Sequence, residues 1–171
     1  MWNEISTDDD VLKFMEAVCF FHDSCIKEMS YVSGAYVDVN LSMYPLNSLR
    51  ALRGLIQRQY EKDSMIELEF QGLKYVKFFP VDESYTCEIL GSTMIMKDGT
   101  IYWCDCNNLS EADLDEYTGT LICASKLRWR SIEGHLGESA FYRLRNAQSD
   151  IVKLIDKTGA TVVEYAHLNS D

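Results

Sequence analysis

The chain has 171 residues with 47% hydrophobic and 12% aromatic content. A chain of that size supports one core burying about 70% of its unfolded surface, so a single domain over 1–171 is expected. Its formal net charge of −11 repels phosphate backbones and disfavours nonspecific nucleic-acid binding; it suits a basic protein partner, or simply keeps the chain dissolved. Met1-Trp2-Asn3-Glu4 and Asp8-Asp9-Asp10 are acidic where a signal peptide is basic and then apolar, and no span approaches the roughly 18 apolar residues of a membrane helix, so a soluble cytoplasmic protein with no membrane partner is expected.

From Thr7 the apolar residues Val11, Leu12, Phe14, Met15, Val18 and Cys19 recur at helical spacing. With Thr7 or Asp8 as N-cap and an acidic first turn, this predicts an amphipathic helix to about Phe21. His22-Asp23-Ser24 then leads into a strand to Val32, and Ser33-Gly34 turns the chain into Tyr36–Met43. There Val37, Val39, Leu41 and Met43 alternate with Asp38, Asn40 and Ser42, the pattern of a half-buried strand. Residues 49–60 fit two patterns: Leu49, Leu52, Leu55, Ile56 and Tyr60 share a helical face, but Gly54 inside the run and a turn at Glu61-Lys62-Asp63-Ser64 favour a strand. Two further strands, Met65–Phe70 and Leu73–Phe79, are expected on either side of a Gln71-Gly72 turn.

Asp98-Gly99 is the dipeptide of a two-residue hairpin turn with positive φ. It sets Met96 opposite Ile101, Met94 opposite Trp103 and Thr93 opposite Cys104. Met94, Met96, Ile101 and Trp103 then share one face, with Ile95, Tyr102, Cys104 and Cys106 on the other, so both faces need cover from helices, another sheet or a partner subunit. Ser110 and Asp113 cap a short acidic helix to about Tyr117. Leu121 to Arg130 alternates as a strand carrying Lys126, Arg128 and Arg130, and Glu133–Ser139 reads as a loop. Phe141–Leu144 reads as a strand, followed by a hairpin of Ile151–Ile155 and Thr161–Tyr165 around Lys157-Thr158-Gly159. The fold class that results is α+β, mainly antiparallel sheet built from consecutive hairpins, with an N-terminal helix and one short acidic helix.

His22, Asp23 and Ser24 are the one tight cluster of reactive types, yet consecutive residues do not normally converge as a triad. Their expected role is structural, holding the helix-to-strand junction by hydrogen bonds, and no catalytic residue is assigned; His135 and His167 have no nucleophile motif beside them. Cys104 and Cys106 point the same way from one strand, with Cys87 at the same parity across the hairpin. Cys106 lies opposite Gly91, four residues from Cys87 or about 13 Å, so the three cysteines read as small apolar filling rather than a metal site. All six cysteines are expected to be reduced. No phosphate-binding glycine loop, zinc motif or nucleophile elbow occurs, and no cofactor is expected. Asp105, Glu111, Asp113, Asp115 and Glu116 form an acidic stretch, the candidate surface for a basic partner, and Lys126, Arg128, Arg130, Arg143 and Arg145 a later basic set. Solvated faces explain both sets, but opposite patches also permit self-association.

Phe21-His22-Asp23-Ser24 before a strand, then Ile66-Glu67-Leu68-Glu69-Phe70-Gln71-Gly72 and Ile101-Tyr102-Trp103-Cys104-Asp105, resembles a group of small bacterial proteins of unknown function. Some of that group are classed as immunity proteins of polymorphic toxin systems. The resemblance covers the first two thirds of the chain and implies a bacterial cytosolic setting and an α+β fold, with no catalytic residues. The expected function is a non-enzymatic binding module, of the kind that inhibits a cationic toxin. Its rivals are an enzyme of unassigned chemistry using His22 and Asp23, and a homodimer joined through the Asp98-Gly99 hairpin.

Overall fold

Thr7 caps the helix as its position predicts. Its hydroxyl accepts from the Asp10 amide at 3.1 Å, and the Asp10 carboxylate accepts from the Thr7 and Ser6 amides at 3.0 Å each, so amides that a helix start leaves unpaired are satisfied. The Thr7 bond, followed by the Ser6 bond, holds the Asp10 carboxyl below its ordinary range. Helix α1, Asp8–Ala17, buries Val11, Phe14 and Met15. It stops short of Phe21: Cys19, Phe20 and Phe21 turn through the left-handed region at φ 51°, 52° and 52°. Side chains resist that region, and here the turn swings Phe21 under the helix to full burial, edge-on to Phe14 at 5.8 Å and to Trp103 at 6.3 Å.

The computed structural model describes residues 1–59, 65–80, 89–132, 142–145, 151–155 and 161–164. Contacts gather the chain into two compact units, Met1–Ile132 and Glu133–Asp171. The expected turns at Glu61-Lys62-Asp63-Ser64 and Lys157-Thr158-Gly159, the Glu133–Ser139 loop, Cys87, His135 and His167 lie outside the described residues.

In the first unit, β1 (Asn3–Ile5), β2 (Ser24–Val32), β5 (Ala51–Arg58), β6 (Met65–Lys77), β7 (Thr93–Lys97), β8 (Thr100–Cys104) and β9 (Leu121–Ile132) form one sheet; β3 (Tyr36–Val37) and β4 (Met43–Tyr44) form a separate small hairpin. The sheet order is β2-β5-β6-β9-β8-β7, all neighbours antiparallel. Strand β9 is long enough to pair with β8 along its first half and with β1 along its second. The second unit contains β10 (Tyr142–Arg145), β11 (Ile151–Ile155) and β12 (Thr161–Glu164), antiparallel in that order. An α+β fold dominated by antiparallel sheet is therefore what the chain adopts.

Residues 51–58 are a strand, as Gly54 suggested. The Gln71-Gly72 turn is a correction, because β6 runs straight through it. Gly72 has φ 60° and the register against β9 slips between Leu73 and Tyr75, so the glycine that signalled a turn sits instead in a bulged stretch of a long strand. Tyr36–Met43 is a second correction: its ends pair with each other, Tyr36 with Tyr44 and Val37 with Met43, as a hairpin. The short acidic helix forms behind the expected capping box of Ser110 and Asp113, as a 3-10 turn over Glu111–Asp113 that ends before Tyr117.

The Asp98-Gly99 hairpin has the expected register, with φ of 48° and 67° at the two turn residues. Both faces are covered. Met94, Met96, Ile101 and Trp103 join the main core with Phe14, Phe21, Leu68 and Phe70. Ile95, Tyr102, Cys104 and Cys106 pack with Leu114 and Tyr117 from the segment between β8 and β9 and with Leu121 at the start of β9. No helix among the described residues is long and apolar enough to cross a membrane.

Candidate functional site

His22, Asp23 and Ser24 separate in space by role. Ser24 is buried, and its amide and carbonyl bond to Ile89 at 2.9 and 3.0 Å. It is a structural residue. His22 lies 65% exposed with Nδ1 3.0 Å from Asp23 Oδ2, and the Asp23 side chain is 25% exposed. Such a bond orients the ring and leaves Nε2 as the group it can offer elsewhere. The left-handed turn that precedes it brings His22, but not Asp23, to the lining of a cleft of about 570 Å³.

That cleft has one wall from α1, with Val11, Leu12 and Met15, and a floor from Ser92 and the β7 residues Thr93 to Met96. Asn107 and Asn108 form the other wall, with His22 and Phe20 at one end. Sequence reasoning missed Cys19, Ser92 and the two asparagines. Helical spacing assigned Cys19 to a buried face, whereas the left-handed turn leaves it exposed on the rim.

The acidic stretch is largely engaged within the molecule. Asp105 accepts from the Tyr117 hydroxyl at 2.5 Å and the Thr120 amide at 3.0 Å, and burial together with the Asp105 bond pushes the Tyr117 phenol up. Glu111 pairs with Lys97 at 2.9 Å, and Asp113 caps Ser110. Asp115 and Glu116 are exposed. Within the basic set, Arg128 and Arg130 face Glu69 and Glu67 across the β6–β9 register, at 2.8 and 2.5 Å, and both guanidiniums lie over the Trp2 ring, 4.5 and 4.6 Å from its centroid. They form a cross-strand ladder rather than a merely solvated face.

The largest exposed apolar feature among the described residues is the projection that carries β3 and β4. Val39, Leu41 and Met43 are 97%, 85% and 72% exposed, and Tyr31, Val32, Tyr36, Val37, Tyr44 and Leu49 continue the surface. Asp38 is the only charged residue between Tyr31 and Leu49. Its carboxylate accepts from the Asn40 and Ser42 amides at 2.9 Å each, the Ser42 bond doing most to hold its pKa below the ordinary value. Tyr36 stacks on Tyr44 at 5.1 Å and 17°. At the base, Gly34 at φ 75° lets the chain cross so closely that a Cβ there would lie 2.3 Å from the Leu46 carbonyl oxygen. These contacts tie the finger together, with its apolar tip outward. Alternation of Val37, Val39, Leu41 and Met43 disclosed its residues but not their exposure, because period two says nothing of which face is covered.

No protein-family model, curated protein or solved structure matches the chain.

Proposed function

We propose that the chain is a non-enzymatic binding module that docks a basic partner protein through the finger between Tyr31 and Leu49, as an immunity-type inhibitor would. The observation that carries this reading is the set of exposed apolar side chains from Tyr31 to Leu49, most exposed at Val39 and Leu41, on a hairpin held by Asp38, Gly34 and the Tyr36–Tyr44 stack. Large exposed apolar patches mark interaction sites, and preorganised tyrosines supply contact area at small entropic cost. A net charge of −11 selects basic partners at long range.

The test compares the wild type with the double variant Val39→Asp, Leu41→Asp. Both side chains are in water already, so the thermal midpoint should not move, while a captured basic partner should be lost. Association should also slow with added salt. A variant that still holds the same partner refutes the reading. If instead the wild type is a concentration-dependent dimer that the variant dissociates, the homodimer reading replaces it.

One observation favours the enzymatic alternative, namely that His22 opens onto a cleft with Ser92, Asn107 and Asn108 from distant segments, although Asp23 does not line it. Cys19 on the same rim gives a direct check: enhanced iodoacetamide labelling of Cys19 near neutral pH that disappears in His22→Ala would support it, and labelling indifferent to His22 would dismiss it.

A further inference from the structure

Among the described residues strand β7 ends the sheet, with no strand paired beyond it, and Thr93 to Met96 line the cleft. In a two-residue hairpin the flanking pair, here Lys97 and Thr100, exchanges backbone hydrogen bonds, and the pattern then alternates along the strand. Thr93, Ile95 and Lys97 therefore direct their amides and carbonyls at β8. Ser92, Met94 and Met96 direct theirs outward. The Ser92 amide follows this parity, donating to the Phe20 carbonyl at 2.7 Å, and Ile89 just before it exchanges bonds with Ser24. Residues 20–24 thus pair with the chain just before β7, in line with its outer edge. The left-handed turn at Phe20 joins this segment to α1, and among the described residues nothing pairs with the outward rungs of Met94 and Met96 between α1 and Asn107-Asn108.

We propose that this edge takes an extended peptide segment of a partner, added as one more strand beside β7. Backbone rungs at Met94 and Met96 call for a chain with its own amides and carbonyls, which an apolar small molecule lacks. The walls dictate alternation: side chains on one face of the added strand meet Val11, Leu12 and Met15, and those on the other meet Asn107 and Asn108. Asp8 lines the groove at the end where α1 begins, opposite the Phe20 end, and selects a basic residue there. The occupant is an apolar–polar alternating segment with a Lys or Arg near one end. This site is independent of the finger.

A random dodecapeptide library displayed on phage is panned against the full chain, and the strongest binder is synthesised with N-methyl groups on each set of alternate amides. One set should lose affinity roughly tenfold and the other should not, because only every second amide faces the edge. Met94 and Met96 amides should exchange fast in the free chain, and peptide binding should slow them. Met96→Pro, which removes only an outward amide, should abolish binding; Leu41→Asp should leave it unchanged, so that failure here is distinct from failure of the finger. Enrichment of no peptide, equal losses in both N-methyl sets, or slow Met94 and Met96 amides in the free chain would overturn the proposal.

Discussion

Glu69 is the most consequential charge in the first unit. Its side chain is 5% exposed, in the middle of β6. Arg53 Nε donates to it at 2.8 Å, Gln71 Nε2 at 2.6 Å and Arg128 Nη2 at 2.8 Å, with Arg53 and Arg128 directly opposite on the two neighbouring strands. Glu69→Leu fills a similar volume but strands two guanidiniums. Arg128 is 32% exposed and loses a partner it cannot fully replace with water, whereas Arg53, at 58%, recovers most of its solvation. Breaking a buried pair from one side costs about 3–5 kcal/mol, so the lower end applies, roughly 3 kcal/mol or a fall of about 10 °C in Tm. The pH dependence has a definite sign. Burial alone pushes the carboxyl up, but hydrogen bonds from Gln71 and Arg53 and the charges of Arg128 and Arg53 outweigh it and leave the pKa below the ordinary 4.5. A lowered folded pKa contributes stability that is fully present above the unfolded value and is lost as pH falls through the folded one. Urea melts between about pH 6 and pH 3 should therefore show a steeper acid loss in the wild type than in Glu69→Gln. If Glu69→Leu melts with the wild type, or Glu69→Gln keeps the full acid slope, the ladder contributes nothing and the reasoning fails.

Gly72→Ala should destabilise by about 1–2 kcal/mol in urea unfolding, since φ is 60° and the new methyl would meet Ser125 Cβ at 3.1 Å. Native thiol titration should find Cys19 reactive and Cys104 inert, because burial pushes the Cys104 thiol up to about 12, and unfolding without reductant should expose all six thiols. Asp38→Ala should speed hydrogen exchange at the Asn40 and Ser42 amides and weaken partner capture while leaving the global melt in place; unchanged exchange would show that the tip does not depend on that carboxylate.

What the sequence disclosed follows from which signals are local. The Asp98-Gly99 turn fixes its own register, so the faces of β7 and β8 and the need to cover both are legible in the dipeptide and its flanking residues alone. Thr7 with Asp10 likewise announces the helix start. Its end is not legible in this way, because nothing local marks the turn at Cys19; what stabilises it is the fit of Phe21 against Phe14 and Trp103, a contact across most of the first unit. Gly72 is a local signal with two meanings, a turn or a bulge, and only pairing with β9 decides between them. The site suffered most. Carboxylates from Asp105 to Asp113 read as a free acidic patch because their partners, Tyr117, Thr120 and Lys97, are assembled by the fold.

That engagement separates two properties that the acidic composition runs together. A carboxylate that accepts bonds from its own chain is poorly placed to make a specific contact with a partner, yet its charge still counts at distances beyond the contact. Asp105, Glu111 and Asp113 therefore belong to the structure, while the net charge of −11 belongs to the encounter. Durable contact has to come from uncharged surface, and among the described residues two such places stand out: a finger with one charged residue between Tyr31 and Leu49, and a cleft along the edge strand β7. Exposed apolar tips and open edges are both aggregation hazards in a protein with no use for them. Repulsion between like-charged copies works against self-association at both, and under the proposed function the same charge would steer a basic partner toward them.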